Sequence, residues 1–115
     1  METVTNNSFI YTNENAGTSN IKRTILLSIY SRPEYFAKGL AYRIKGRLSY
    51  KRNSEWNPCI ERIEVKYRGE RRHFHANVSI GTDCADLDKF KEQVAMRLGA
   101  TSGKPWVCCK VVSVR

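Results

Sequence analysis

Alternation of apolar and polar residues between positions 40 and 80 constrains the fold of this chain more than any other feature. In residues 40–51 the even positions are mostly apolar and the odd positions mostly basic, and residues 62–68 and 72–80 repeat the same period of two. Such alternation is typical of strands that bury one face of a sheet and expose the other. With a turn at Gly69, the three segments predict an antiparallel meander. The aromatic residues predicted to be buried in its core are Tyr42, Tyr50, Tyr67 and Phe74.

Two further segments predict strands that extend this meander into a larger sheet. Residues 24–30 are apolar and partly β-branched, which favours a largely buried first strand. Residues 106–114 are apolar on both faces, which predicts a covered strand near the centre of the sheet. If either segment is instead an edge strand, it could pair across a homodimer.

Two predicted helices complete the order β-α-β-β-β-α-β, and the predicted class is α+β with one antiparallel sheet. A short helix is expected to begin at Ser31, which can cap free amides, and to end at Gly39. Apolar residues at spacings of three and four predict the main amphipathic helix over residues 85–98, capped by Thr82 or Asp83. This helix would pack on one face of the sheet.

The chain of 115 residues has the length of one ordinary domain. Residues 1–20 are rich in Asn, Thr, Ser and Gly and contain only isolated apolar residues, so they predict a disordered tail before a single domain at 21–115. No apolar run approaches the roughly 18 residues that a membrane-spanning helix needs, and the first 20 residues contain no Lys or Arg. We therefore expect a cytoplasmic protein without membrane contact.

The cysteines do not have the spacing of a metal site. Cys59, Cys84, Cys108 and Cys109 form no CxxC pair, and no CxxH or HxxxH partner lies near them. We expect them to be reduced and to act as small buried hydrophobic residues, with neither a metal nor another cofactor.

Positive charge is concentrated in the alternating region. Between Lys38 and Arg72 there are eleven Lys and Arg residues against four Glu, which gives +7 of the chain's net charge of +9. A basic sheet face of this kind favours contact with nucleic-acid phosphates, since each neutralised phosphate releases a counterion. The predicted nucleic-acid-binding residues are Arg43, Lys45, Arg47, Lys51, Arg52, Trp56, Arg62, Lys66, Arg68, Arg71, His73 and His75. Trp56 would either stack on a base or fold back over the edge of the sheet.

Three functions are compatible with this basic face. The first is a small nucleic-acid-binding module for DNA or RNA with limited sequence selectivity, and three strands followed by a helix resemble small DNA-binding domains that insert a three-stranded sheet into the major groove. The second is an interaction or inhibitor protein, of the kind mobile genetic elements encode, that docks on an acidic surface of a host protein. The third is a small ribonuclease, in which His73 and His75 would activate a ribose hydroxyl.

Tyr30, Tyr35 and Phe36 are predicted to reach solvent together with Trp56. A solvated sheet face also needs polar residues without any partner, but such a face usually mixes positive and negative charges. Glu64 is the only acid at an outward position in the predicted run from Arg43 to Ser79. This sign bias favours an anionic partner.

Overall fold

A computed structural model describes residues 7–13, 21–32, 35–50, 56–69, 72–98 and 108–115. The elements are β1 Ser8–Thr12, β2 Ile21–Tyr30, α1 Ala37–Ser49, β3 Cys59–Tyr67, β4 His73–Thr82, α2 Leu87–Leu98 and β5 Cys108–Val114. The predicted α+β class, with one antiparallel sheet of five strands and two helices, is confirmed. None of the helices in the described ranges is long and apolar enough to cross a membrane.

The strand order β1-β3-β4-β2-β5 interleaves two crossover units. β2 and β3 are parallel to each other with β4 between them, and α1 connects them. In the same way α2 connects β4 to β5, with β2 between these strands. This is the split β-α-β arrangement, and two right-handed crossovers of this kind place both helices on one side of the sheet. The other side, which we call the open face, carries no helix in the described ranges.

The core lies between the two helices and the sheet. Alternate residues of β2, β3 and β4 face the helices, and α1 and α2 each contribute one apolar stripe. The core side chains are Ile25, Leu27, Ile29, Ala37, Leu40, Ala41, Ile44, Leu48, Trp56, Ile60, Ile63, Val65, Phe74, Ala76, Val78, Ile80, Phe90, Val94 and Leu98. The helix side of the sheet is therefore filled, and side chains available to a partner on the sheet itself lie on the open face.

The strand predicted over residues 40–51 is wrong, because residues 37–49 form α1. Leu40, Ile44 and Leu48 are buried, and their spacing of four fits both a strand period of two and a helical period of 3.6. Ala37 and Ala41 are buried as well, and together the five residues form one apolar stripe along the helix. The three-stranded meander therefore lacks its first strand, and the resemblance to domains that insert three strands into the major groove does not hold.

Two residues predicted to be core are exposed as a result. The side chain of Tyr42 on α1 is 47% exposed and that of Tyr50 is 65% exposed. Phe74 is buried as predicted, and Tyr67 is partly buried and packs against the core.

The end predicted for the short helix at Gly39 is also wrong, since Gly39 lies inside α1. Of the aromatic residues predicted to reach solvent, Tyr30 and Phe36 do so and Tyr35 is half-buried.

Part of the predicted tail forms a strand. Residues 8–12 are β1, which pairs antiparallel with β3 at one edge of the sheet. Phe9 lies opposite Val65, Tyr11 lies opposite Ile63, and both rings pack against the core. Residues 1–6 and 14–20 of the predicted tail lie outside the described residues.

Deleting residues 1–13 should destabilise the protein, because it removes a five-residue ladder and two rings that cover the core. We expect the melting temperature to fall by roughly 5 to 10 °C, which corresponds to about 1 to 2 kcal/mol for a domain of this size. A deletion of residues 1–6 leaves β1 intact and is the matched control. Equal melting temperatures for both deletions would contradict the docking of β1.

The second helix begins slightly later than predicted and has a different cap. The carboxylate oxygen Oδ1 of Asp86 accepts hydrogen bonds from the backbone amides of Asp88 and Lys89, at 2.9 and 3.2 Å. Asp86 therefore satisfies free amides of the first turn, a role predicted for Thr82 or Asp83. Thr82 is buried and accepts a hydrogen bond from the backbone amide of Cys84 instead.

The last strand lies at the edge of the sheet, and its predicted position near the centre is wrong. β5 pairs only with β2 among the described residues. Lys110 and Val112 are exposed on this strand, and Val112 reaches 58% exposure. Residues 24–30 instead belong to β2, which is an interior strand. Of the two segments that could pair across a homodimer, only β5 is therefore an edge strand among the described residues. The homodimer itself stays a prediction.

Candidate nucleic-acid interface

Five of the predicted binding residues lie on the open face. Arg62 and Lys66 of β3, with Arg68 immediately after it, alternate with the buried Ile63 and Val65. His73 and His75 of β4 alternate in the same way with buried Phe74 and Ala76. The alternation predicted for these two strands is confirmed, and it places the five basic side chains on adjacent strands.

Three predicted binding residues lie on the helix side of the molecule instead. Arg43 and Lys45 are on α1, where their cationic groups lie over aromatic rings, Arg43 at 5.3 Å from Tyr35 and Lys45 at 5.1 Å from Tyr11. Arg47 donates a hydrogen bond to the backbone carbonyl of Arg97 at 3.3 Å. Their assignment to the sheet face is therefore wrong, for the same reason that the strand at 40–51 is wrong.

Trp56 is part of the core. Its side chain is fully buried, its ring lies 5.4 Å from that of Phe90, and its indole Nε1 donates a hydrogen bond to the carbonyl of Leu48 at 2.5 Å. Because the ring is buried, Trp56 cannot stack on a base in this conformation. The remaining predicted residues, Lys51, Arg52 and Arg71, lie outside the described residues.

A row of polar side chains crosses four neighbouring strands of the open face. The register places Lys66 opposite His75, His75 opposite Ser28, and Ser28 opposite Lys110. Because adjacent strands are about 4.8 Å apart, the row spans roughly 14 Å. Its cations lie at both ends, and its uncharged hydroxyl lies between them.

Beside this row, Tyr30 and His73 form a flat stack. Their ring centroids are 4.5 Å apart and their planes differ by 7°. The hydroxyl of Ser28 and Nε2 of His73 are hydrogen-bonded at 2.7 Å, and the His75 ring meets that of His73 edge-on at 4.9 Å. His73 is thus held on three sides, while Tyr30 remains 49% exposed.

The surroundings of His75 favour its neutral form. Partial burial at the sheet surface, the positive charge of Arg68 and the neighbouring His73 lower the pKa of His75 below its ordinary value. Lys66 lies directly opposite it on β3. At neutral pH the His75 ring is therefore a hydrogen-bonding group that can take up a proton when an anion arrives.

Carboxylates neutralise one end of the open face but not the other. Lys22 pairs with Glu61, and Arg62 lies 3.5 Å from Glu64. In the part of the chain that the structure describes, Lys66, Arg68 and Lys110 have no carboxylate within ion-pair distance. The uncompensated positive charge therefore surrounds the Tyr30–His73 stack.

A shallow groove of about 300 Å³ adjoins this stack. Leu26, Asn77 and Val112 contribute to its lining, Lys66 and Arg68 stand at its border together with His75, and Glu64 adds one carboxylate. An apolar surface with one amide and more cations than carboxylates can accept a flat polar ring attached to an anion.

A second hollow, of about 430 Å³, has the opposite electrostatic character. It lies at the start of α2 and is bordered by Asp83, Asp86 and Glu92. These acids lie away from the basic row, so the charge of the described molecule is asymmetric. An anionic partner is steered toward the open face by such asymmetry.

Cys59, Cys84 and Cys109 are half-buried, and Cys84 and Cys109 pack against the core. Within the described ranges no three His, Cys, Asp or Glu residues are grouped closely enough to hold a metal ion.

Sequence reasoning did not identify Ser28 and Lys110 as members of the surface. The alternation of β2 places Ser28 on the same side as Tyr30, and this signal could have been used. The pairing of β2 with both β4 and β5, which brings these residues to His73 and His75, depends on a register that no local pattern specifies.

Comparisons with known proteins provide no assignment: no protein-family model, curated protein or solved structure matches this chain.

Proposed function

We propose that the protein binds nucleic acid through the open face, with phosphates held by Lys66, Arg68 and Lys110 and with limited sequence selectivity. The observation that carries this proposal is the positive charge around an exposed aromatic stack, which no carboxylate of the described residues pairs with. Cations supply the affinity for phosphates, and exposed rings supply contact area for bases. A surface that only needed solvation would pair these cations with acids, as it does at Arg62 and Glu64.

The direct test measures binding of labelled oligonucleotides to the full chain between 50 and about 300 mM salt. Engagement of several phosphates gives a linear decrease of log affinity with log salt, with a slope of about −0.7 to −0.9 for each phosphate. Absence of binding to any oligonucleotide at 50 mM salt would overturn the proposal. A pull-down from lysate with and without nuclease then tests the acidic host protein, whose capture should be insensitive to nuclease.

Intact RNA at the end of the same assay also tests the ribonuclease alternative. The rings of His73 and His75 are in contact, but His73 is already hydrogen-bonded to Ser28. A binding protein leaves the RNA oligonucleotide full-length on a denaturing gel. Shortened products that disappear in the His75→Ala variant would instead assign catalysis to this surface.

Affinity should increase several-fold when the pH is lowered from 8 to 5.5. The pKa of His75 is lowered by burial and by Arg68 and His73, so the ring is neutral at pH 8 and gains its positive charge only as the pH falls. Protonation adds one phosphate contact, and the bound phosphate in turn favours the protonated ring. The measurement is fluorescence anisotropy at constant ionic strength.

The variant His75→Gln tests the role of this ring in the pH profile. Removal of His75 should flatten the profile. A profile that is unchanged by His75→Gln would show that His75 does not meet a phosphate.

A further inference from the structure

Resting on the proposed function, we infer that the nucleic acid bound by the open face is single-stranded, with one base stacked on the exposed side of the Tyr30 ring. The inference starts from the geometry of the stack. One side of Tyr30 is covered by His73 at 4.5 Å, with the two planes 7° apart, and yet the side chain is 49% exposed. The ring therefore presents a second side to solvent.

The platform is held rigid before any ligand binds. His73 is hydrogen-bonded to Ser28 at 2.7 Å and is in edge contact with His75, so the support under Tyr30 is fixed from two directions. A ring that is already ordered loses little rotational freedom when a base is placed on it. Preorganisation of this kind is expected for a stacking site and is unnecessary for a merely solvated side chain.

A single strand can use this ring, and a duplex cannot. In a duplex the faces of the bases are covered by their neighbours, so a protein ring on the surface meets only edges, sugars and phosphates. Unpaired bases present their π-faces, and stacking on an aromatic side chain does not depend strongly on which base is present. This agrees with a site of limited sequence selectivity.

The cations are placed to follow the backbone of such a strand. Lys66 and Arg68 lie two strands away from Tyr30 on the β3 side, and Lys110 lies on the adjacent strand β5, opposite Ser28. Phosphates on either side of a stacked nucleotide can reach these flanks. The groove next to His75 then accepts the neighbouring nucleotide, where the amide of Asn77 can both donate to and accept from a base edge.

The test compares a fluorescein-labelled 12-nucleotide thymidine strand with a 12-base-pair duplex of mixed sequence, on the full chain at 100 mM salt. We expect the single strand to bind more tightly than the duplex. Tyr30→Ala should weaken single-strand binding by roughly ten-fold or more, the usual effect of removing one stacking ring. The slope of log affinity against log salt should stay unchanged, because no charge is removed.

Two controls separate stacking from folding and from charge. Tyr30→Phe retains the ring and should bind like the parent, and thermal melts should show that both variants fold. On the unmodified protein, a strand containing 5-bromouridine should form a photochemical crosslink at Tyr30, located by mass spectrometry. This last measurement needs no variant.

The outcomes distinguish this inference from the function on which it rests. Duplex binding equal to or tighter than single-strand binding, or a single-strand affinity unaffected by Tyr30→Ala, would overturn the single-strand inference and leave phosphate binding intact. Failure of both oligonucleotides to bind at low salt would remove the proposed function itself.

Discussion

Replacing Lys66, Arg68 and Lys110 with Gln should lower the salt slope of nucleic-acid binding by about two to three units. Each lost phosphate contact removes roughly 0.7 counterions on a single strand and 0.9 on a duplex. The three side chains surround the Tyr30–His73 stack and have no carboxylate partner among the described residues. The loss of affinity should be largest at low salt, and stability should change little because Lys66, Arg68 and Lys110 are exposed.

The matched control is Lys38, Arg43 and Lys89 replaced with Gln, an equal change of charge at exposed positions of the helices. We expect near-parental affinity and slope from this variant. If both triple variants lose affinity equally, binding depends on net charge and no defined surface is involved. The control includes Arg43, which the alternation in the sequence assigned to the binding face and which the structure places on α1. It therefore also tests that reassignment.

The variant Trp56→Ala should cost about 3 to 5 kcal/mol of the free energy of unfolding. Trp56 is fully buried, packs against Phe90, and bonds its indole to the carbonyl of Leu48. It therefore ties the end of α1 to α2, and its removal leaves both a cavity and an unsatisfied carbonyl. Urea denaturation followed by circular dichroism measures the loss.

Trp56→Phe distinguishes the two contributions. A phenyl ring keeps most of the contact with Phe90 but cannot donate to Leu48, so we expect a loss of about 1 to 3 kcal/mol. A Trp56→Ala variant with reduced nucleic-acid affinity and an unchanged unfolding midpoint would contradict the core position of Trp56. It would assign this residue to the binding surface.

The period of the apolar pattern was sufficient to predict β3, β4 and α2 but not α1. Over residues 63–67 of β3 and residues 74–80 of β4 every second residue is apolar, which fits a strand period and does not fit a helical one. In α1 the decisive apolar positions are four residues apart, which both periods satisfy. Gly39 and Gly46 argued against a helix locally, and the burial of α1 against β1 and β3 overrides this weak preference.

The candidate site was predictable only in part, because it is assembled from four strands. The positions of Lys66, Arg68, His73 and His75 on one side follow from alternation alone. The contact of His73 with Tyr30 and Ser28 requires β4 to pair with β2, across more than 40 residues of sequence. The strand β1 was missed because five half-exposed residues within a polar segment bury too little surface to be detected.

The interleaving of the two crossover units determines how the chain can fold. Each parallel pair of strands is separated by a strand from the other unit, so neither unit has a complete sheet by itself. β2 cannot complete its hydrogen bonding until β5, which follows α2 in the sequence, has been synthesised. Most native pairings therefore link distant parts of the sequence, which slows folding to the range typical of non-local topologies, roughly milliseconds to seconds. During synthesis, this domain should acquire its structure in one cooperative step once β5 is available rather than segment by segment.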